Sequence, residues 1–155
     1  MNSADGRLVS NFVVAALRGD PIEIYGDGEQ TRSLMYVHDL VSGLIALMGS
    51  DFTEPVNIGS EDESTVAEWA LVVRDTVEEM RERGEIALSV EGGTVVEGKT
   101  RRSELVLTPA VVDDPPRRRP DITRAREVLG WEPKWTVKSG IEETIKYFAS
   151  EEGDL

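Results

Sequence analysis

The residues best placed to act on a ligand are arginines, in a chain that carries no cysteine and a single histidine. Arg32 follows the glycine turn Gly26-Asp27-Gly28 and a short apolar stretch, Ile22 to Tyr25. A guanidinium there presents a rigid fork of N–H donors to a phosphate oxygen. Farther along, Arg117-Arg118-Arg119 stands between Pro116 and Pro120. A charge run is ordinarily a solvated face. Here the flanking prolines reduce the freedom of the unfolded loop and favour one held shape. Asn57 and Gly59 close the predicted strand Val56-Asn57-Ile58-Gly59, and ligands collect at the carboxyl ends of strands in open α/β sheets. Asn57 equally suits local turn hydrogen bonds. His38 has no partner pattern for a metal and reads as a helix-entry residue. Without cysteine there is no disulfide, no thiolate metal site and no thiol nucleophile.

These residues need elements to position them. Val9, Phe12, Val13, Ala16 and Leu17 recur at helical spacing, and Gly19 supplies the stop. Ile22 to Tyr25 reads as a strand and Ser33 to Val37 as another. Asp39 opens a helix with Leu40, Val41, Leu44, Ile45 and Met48 on its apolar side, closed by Gly49. Thr65 and Glu68 have capping-box spacing ahead of the stripe Val66, Trp69, Ala70, Val73, Val77 and Met80. Ile86 to Val90 reads as a strand, Glu91 to Glu104 as a mobile loop, and Leu105 to Leu107 as a possible strand. Asp113 to Pro120 should be an extended, ordered loop. Thr123 to Leu129 is a short helix ended by Gly130, and Val137, Ile141, Ile145 and Phe148 mark the last helix. Trp69, Trp131 and Trp135 read as packing residues, and so do Tyr25 and Tyr36. Strands alternating with helices give an α/β class.

Composition sets the outer limits. The 155 residues suffice for one domain with a core, taken as 1–150 with an inserted loop at 91–112 and an acidic tail at 151–155. A formal net charge of −13 disfavours nucleic acid and anionic lipid as partners. A site for an anion must therefore be made locally, by a few placed arginines. The longest apolar stretch is about ten residues, too short to span a bilayer. Met1 to Arg7 has no apolar core of the kind a signal peptide needs.

Three ordered segments are more specific: YGDGEQTRSLMYVHDL (Tyr25–Leu40), VNIGS (Val56–Ser60) and DDPPRRRPDITRAREVLGWEP (Asp113–Pro133). In this order and spacing they resemble the C-terminal part of extended short-chain dehydrogenases acting on nucleotide sugars. The opening DGRLVSNFVVAALRGDPIEIYGDGEQTR and the run DDPPRRRPDI resemble, more narrowly, the UDP-glucuronate decarboxylases. The resemblance covers the chain except about Glu91 to Val112. It implies an α/β substrate-binding part, with a few strands and helices that complete a Rossmann-like half. It implies a UDP-sugar ligand, NAD as cofactor, no metal, and a homodimer for the longer protein. UDP would lie on Tyr25, Gln30 and Arg32, with Arg32 on the diphosphate and Asn57 beside the nucleotide. Arg118 would stand at the sugar carboxylate as a binding and catalytic residue, oriented by Asp113 and Asp114. Arg7 would reach the nicotinamide cofactor.

The same family carries a G-x-x-G-x-x-G dinucleotide turn and a catalytic Y-x-x-x-K pair, and neither occurs here. Tyr25, Tyr36 and Tyr147 are followed four residues on by Glu29, Leu40 and Glu151. No tyrosine is thus paired with a lysine as the base for a sugar hydroxyl. The expectation is a portion of a longer enzyme, inactive alone, with NAD bound mainly by residues outside this sequence. In the whole enzyme NAD would oxidise C4, the 4-ketone would hold the electrons as CO2 leaves, and NADH would reduce the ketone. Two alternatives are another nucleotide-sugar dehydratase or epimerase, and a non-catalytic UDP-sugar-binding module. The compartment stays open, since the family works in the cytosol and in the secretory lumen.

Overall fold

The computed structural model describes residues 7–86, 90–91, 94–95, 102–110 and 113–150. Helix α1 (Leu8–Arg18) presents Phe12, Val13, Ala16 and Leu17 to the interior. It ends at Gly19, whose φ of 72° is left-handed and costs a glycine little. Arg81 completes that end. Its buried guanidinium donates from Nη2 to the carbonyls of Ala16 (3.2 Å) and Leu17 (2.7 Å), and from Nη1 to Glu78 (2.8 Å). A cation at a helix C-terminus complements the helix dipole.

Strand β1 (Ile22–Tyr25) buries Ile22 and Ile24 and turns Glu23 and Tyr25 outward, the two-residue period of a half-covered strand. It pairs in parallel with β6 (Leu105–Thr108), Ile22 opposite Leu105 and Tyr25 opposite Thr108. Helices α3 (Val66–Glu82) and α5 (Val137–Ala149) pack with α1 and β1 around the main core, in which Val73, Val77, Met80, Ile145 and Phe148 are fully buried. Strand β4 (Val90–Glu91) pairs antiparallel with β5 (Thr94–Val95). The rest of the predicted strand at Ile86 to Val90, and most of the predicted mobile loop at Glu91 to Glu104, lie outside the described residues.

The second sheet carries the arginines. Strand β2 (Thr31–Ser33) lies between β3 (Glu63–Thr65), antiparallel, and β7 (Arg117–Arg118), parallel. Glu63 crosses all three strands: its carboxylate accepts from Thr31 Oγ1 (2.6 Å) and from Arg117 Nε and Nη2 (both 2.8 Å). Trp69 of α3 donates its indole N–H to the Arg32 carbonyl at 2.8 Å, anchoring the sheet to the main core.

Helix α2 (Val37–Met48) is latched at its start. The buried Asp39 carboxylate accepts the backbone N–H groups of Lys134 (3.0 Å) and Trp135 (2.9 Å). Trp131 donates its indole N–H to Ser42 Oγ at 2.8 Å. A Cβ on Gly43 would lie 2.5 Å from Ile58 Cγ2, so the helix sits closer there than any side chain permits. A second, smaller core gathers Ile122, Ala125 and Trp131 with Met35, Ala46, Val56, Ile58 and Leu129. Helix α4 (Thr123–Leu129) ends at Gly130, φ 59°, as the sequence implies.

Several sequence expectations need correction. The strand expected at Ser33 to Val37 is Thr31–Ser33, because that is where two neighbours offer hydrogen bonds. The helix expected to open at Asp39 begins at Val37, so Asp39 lies in the first turn and points into the 134–135 backbone. Val56 to Gly59 is not a strand; Val56 and Ile58 pack against the Trp131 cluster. The segment Asp113 to Pro120, expected as a loop throughout, contributes β7. Tyr25, expected to pack, is 46% exposed, whereas Tyr36 packs against His38, Trp135 and Gly140.

Two outcomes follow. The Thr65 hydroxyl accepts from the Glu68 N–H (3.1 Å) and the Glu68 carboxylate from the Thr65 N–H (2.8 Å). Thr65→Ala should cost about 1 kcal/mol in chemical denaturation, with Thr65→Ser retaining most of it; an unchanged midpoint for the alanine variant would show the cap to be idle. Hydrogen bonds from Arg117 and Thr31 hold the Glu63 carboxyl below the usual carboxylate range. A depressed folded pKa adds stability above the unfolded value, near 4.3, that is lost as pH falls through the folded value. The melting-temperature gap between the native chain and Glu63→Gln should therefore be widest near pH 7 and close progressively below about pH 4. A pH-independent gap would contradict that account.

Candidate functional site

The arginine run resolves into three different situations. Successive side chains of a strand point to opposite faces, so Arg117 and Arg119 turn one way and Arg118 the other. Arg117 is held by Glu63 through Nε and Nη2. Arg119 donates from Nε to the Glu61 carbonyl at 3.2 Å, with its Nη2 3.7 Å from the Glu61 carboxylate. Arg118 has neither a carboxylate nor a hydrogen-bond acceptor among the described residues. It is exposed and lines an open cleft of about 480 Å³ with Ser33, Ile58, Gly59, Ser60 and Pro120. Gly59 shapes that cleft, because a Cβ there would stand 2.6 Å from Pro120 Cγ. The Ser33 hydroxyl oxygen is buried and has no hydrogen-bond partner.

Arg32 stands opposite Arg118 in the parallel register but is already engaged. Its Nη1 donates to the carbonyls of Thr31 (2.6 Å) and Pro115 (2.9 Å), and its Nη2 to the Asp114 carboxylate. Of the five guanidinium N–H groups, Nε–H and one on Nη2 remain. Asp114 thus serves Arg32, correcting the expectation that it orients Arg118. Asp113 adopts a left-handed φ of 64° just before it and turns the chain into the clamp.

The other expected site residues are distributed. Gln30 donates from Nε2 to the Tyr25 carbonyl at 2.7 Å across the glycine turn. Tyr25, Gln30 and Asp114 line a second cleft of about 350 Å³. Asn57 donates to the Asp121 carbonyl at 3.0 Å, a tie across 64 residues rather than a local turn bond. It lines a third cleft, of about 480 Å³, with Asp121 and Arg124. Arg7 is the N-cap of α1 and lines none of these clefts. Sequence reasoning missed Glu61 and Glu63, which take up the flanking arginines; β3 is too short to show a strand period. It also missed Ser33, whose partnerless hydroxyl has no sequence signature. Among the described residues no cluster of histidine and acidic side chains could hold a metal ion.

Comparison with known proteins follows this geometry. The family model of GDP-mannose 4,6-dehydratase matches residues 2–144. UDP-glucuronic acid decarboxylase 1 of Danio rerio is 40% identical over 151 residues, which span 97% of this chain and 31% of that protein. UDP-glucuronic acid decarboxylase 5 of Arabidopsis thaliana is 43% identical over 141 residues, 91% of this chain and 35% of that protein. The chain therefore spans about a third of the length of these relatives. Among solved structures, UDP-glucose 4-epimerase of Thermotoga maritima with UDP-glucose matches with a TM-score of 0.74 and 28% identity, covering 92% of this chain and 39% of the other. The UDP-glucuronic acid 4-epimerase of Bacillus cereus, solved with UDP-glucuronic acid and NAD, has the same fold at 20% identity and a TM-score of 0.70 over 92% of this chain and 39% of its own. With a family model matching nearly all of its length and this fold beneath it, the chain belongs to the GDP-mannose 4,6-dehydratase family, among the extended short-chain dehydrogenases.

Proposed function

We propose that this chain is the UDP-sugar-binding part of an NAD-dependent UDP-glucuronate decarboxylase, which releases CO2 from UDP-glucuronate to give UDP-xylose. The observation that carries the reading is Arg118, the one arginine of its run that no acidic side chain neutralises among the described residues, at the wall of an open cleft. The identity of about two residues in five to UDP-glucuronic acid decarboxylases supports the same reading.

Each residue then has a task. Arg118 positions the sugar carboxylate and stabilises charge as CO2 leaves. A guanidinium does not give up its proton near neutral pH, so proton delivery to C5 falls to water beside it. Too firm a grip on the carboxylate would stabilise the ground state as well, so the contact acts chiefly in the transition state. Arg32 offers its two remaining N–H groups to the diphosphate while its clamp keeps Arg118 in register. Tyr25 and Gln30 border the nucleotide, and Asn57 holds the 57 and 121 segments together beside it. Arg7 approaches the nicotinamide, and the longer protein is a homodimer.

NAD itself does not fit the described residues. A pyrophosphate cradle needs a helix N-terminus reached through a glycine turn. The turn at Gly26 to Gly28 leads into β2, and the α3 N-terminus is filled by Thr65 and Glu68. No chemical step is therefore routed through the cofactor here; in this reading the part of the family fold that the chain does not match supplies it.

The purified chain, given NAD and UDP-glucuronate, should form no UDP-xylose; product seen by chromatography would sink the proposal of an incomplete catalytic unit. Calorimetric titration tests the site itself. UDP should bind, Arg32→Ala should weaken it at least about tenfold, or roughly 1.4 kcal/mol, and Arg118→Ala should change it less than about twofold. Equal losses for the two variants, or no binding of UDP at all, would overturn the assignment.

A further inference from the structure

Helix α2 is covered on one side only. Asp39 and Gly43 face the Trp131–Trp135 segment and are buried. The opposite side lies open: Val37 is 54% exposed, Leu40 38%, Val41 46%, Leu44 45%, Ile45 64% and Met48 85%. At spacings of three and four residues these six side chains form one continuous stripe along the helix. None is charged, and the only carboxylate of the helix, Asp39, is spent on the far side. A surface helix is ordinarily apolar on one face and polar on the other, whereas a helix apolar on both is packed on both. A contiguous exposed patch of large apolar side chains marks an interaction site.

We propose that this stripe is the seat for an uncharged, apolar face of the portion of the family fold that this chain does not match. Length argues for that occupant. The chain matches 39% of the Thermotoga maritima epimerase and 31% to 35% of the curated decarboxylases, so about three-fifths or more of each has no counterpart in it. Charge argues against a second copy. Each chain carries a formal charge of −13, and pairing through a stripe with no charges of its own would bring two polyanions together without compensating ion pairs. The proposal rests on family membership and is independent of the ligand assigned to the Arg118 cleft.

The test compares one substitution in two settings: the chain alone, and a chimera in which the chain replaces the matched part of Arabidopsis thaliana UDP-glucuronic acid decarboxylase 5. In the chain alone, Ile45→Glu should leave the melting temperature unchanged, because the side chain already meets water. In the chimera it should lower the melting temperature by about 5 °C or more, because it would bury an unpaired carboxylate. Leu71→Glu, on the exposed face of α3, is the control and should be neutral in both settings. Indifference of the chimera to Ile45→Glu would overturn the proposal. So would a dimer of the chain alone, seen by sedimentation, that Ile45→Glu splits; the occupant would then be a second copy. A chimera that does not fold, while the chain alone does, also counts against the stripe as a seat for a relative's face.

Discussion

Everything around the arginine cleft depends on the clamp between Arg32 and the Asp114–Pro115 segment. The Arg32 side chain is only 14% exposed, and its guanidinium joins a carboxylate to two backbone carbonyls. A partly buried cation of this kind is tolerable only while its partners are present; losing one strands the other. The clamp delivers the 113–118 segment to the open edge of β2, where Arg117 falls opposite Thr31 and Arg118 opposite Arg32. Glu63 then grips Arg117 from the far side of the sheet, and the strand alternation decides which arginine faces the cleft. The stability of the sheet and the placement of Arg118 are therefore one problem with one solution.

Charge is handled locally in a strongly acidic chain. Glu61 and Glu63 take up the arginines on either side, and Asp114 takes up Arg32. Glu61 also holds Arg126 at 2.8 Å, which ties α4 to the same corner. Among the described residues a single uncompensated guanidinium is left at the wall of a cleft bordered by Gly59 and Pro120. A net charge of −13 thus coexists with a site that attracts an anion, because fields at a few ångströms are set by immediate neighbours.

The helices were legible in the sequence because each repeats its apolar residues over several turns and is closed by its own signal. Gly19 and Gly130 stop α1 and α4, and Thr65 with Glu68 starts α3. The short strands were not. Strands β3 and β7 offer three and two residues, too few for a period, and exist because β2 lies between them. Val56 to Ile58 looks like a strand from its β-branched residues but meets no pairing edge, and its side chains fill the Trp131 cluster instead. The arginine run was visible as a held charge cluster. Which of its members stays unpaired depends on Glu61 and Glu63, and nothing in the local sequence announces them. Asp39 is similar: as a helix-opening residue it is ordinary, and its work as a latch on residues 134 and 135 appears only when those residues arrive.

The Arg32–Asp114 contact closes a ring of chain across 82 residues. Closing so long a ring is entropically costly, but the cost grows only logarithmically with its size, about 0.6 kcal/mol for each doubling. Residues can therefore be gained or lost between α3 and β6 at almost no thermodynamic expense to the cleft. The register that sets Arg118 is read at the two ends of the ring and is blind to what lies between them. Speed is another matter, since contacts this far apart in sequence form slowly. The main core, built largely from α1, α3 and α5, sits under a binding corner whose assembly must wait for the distal segment to arrive.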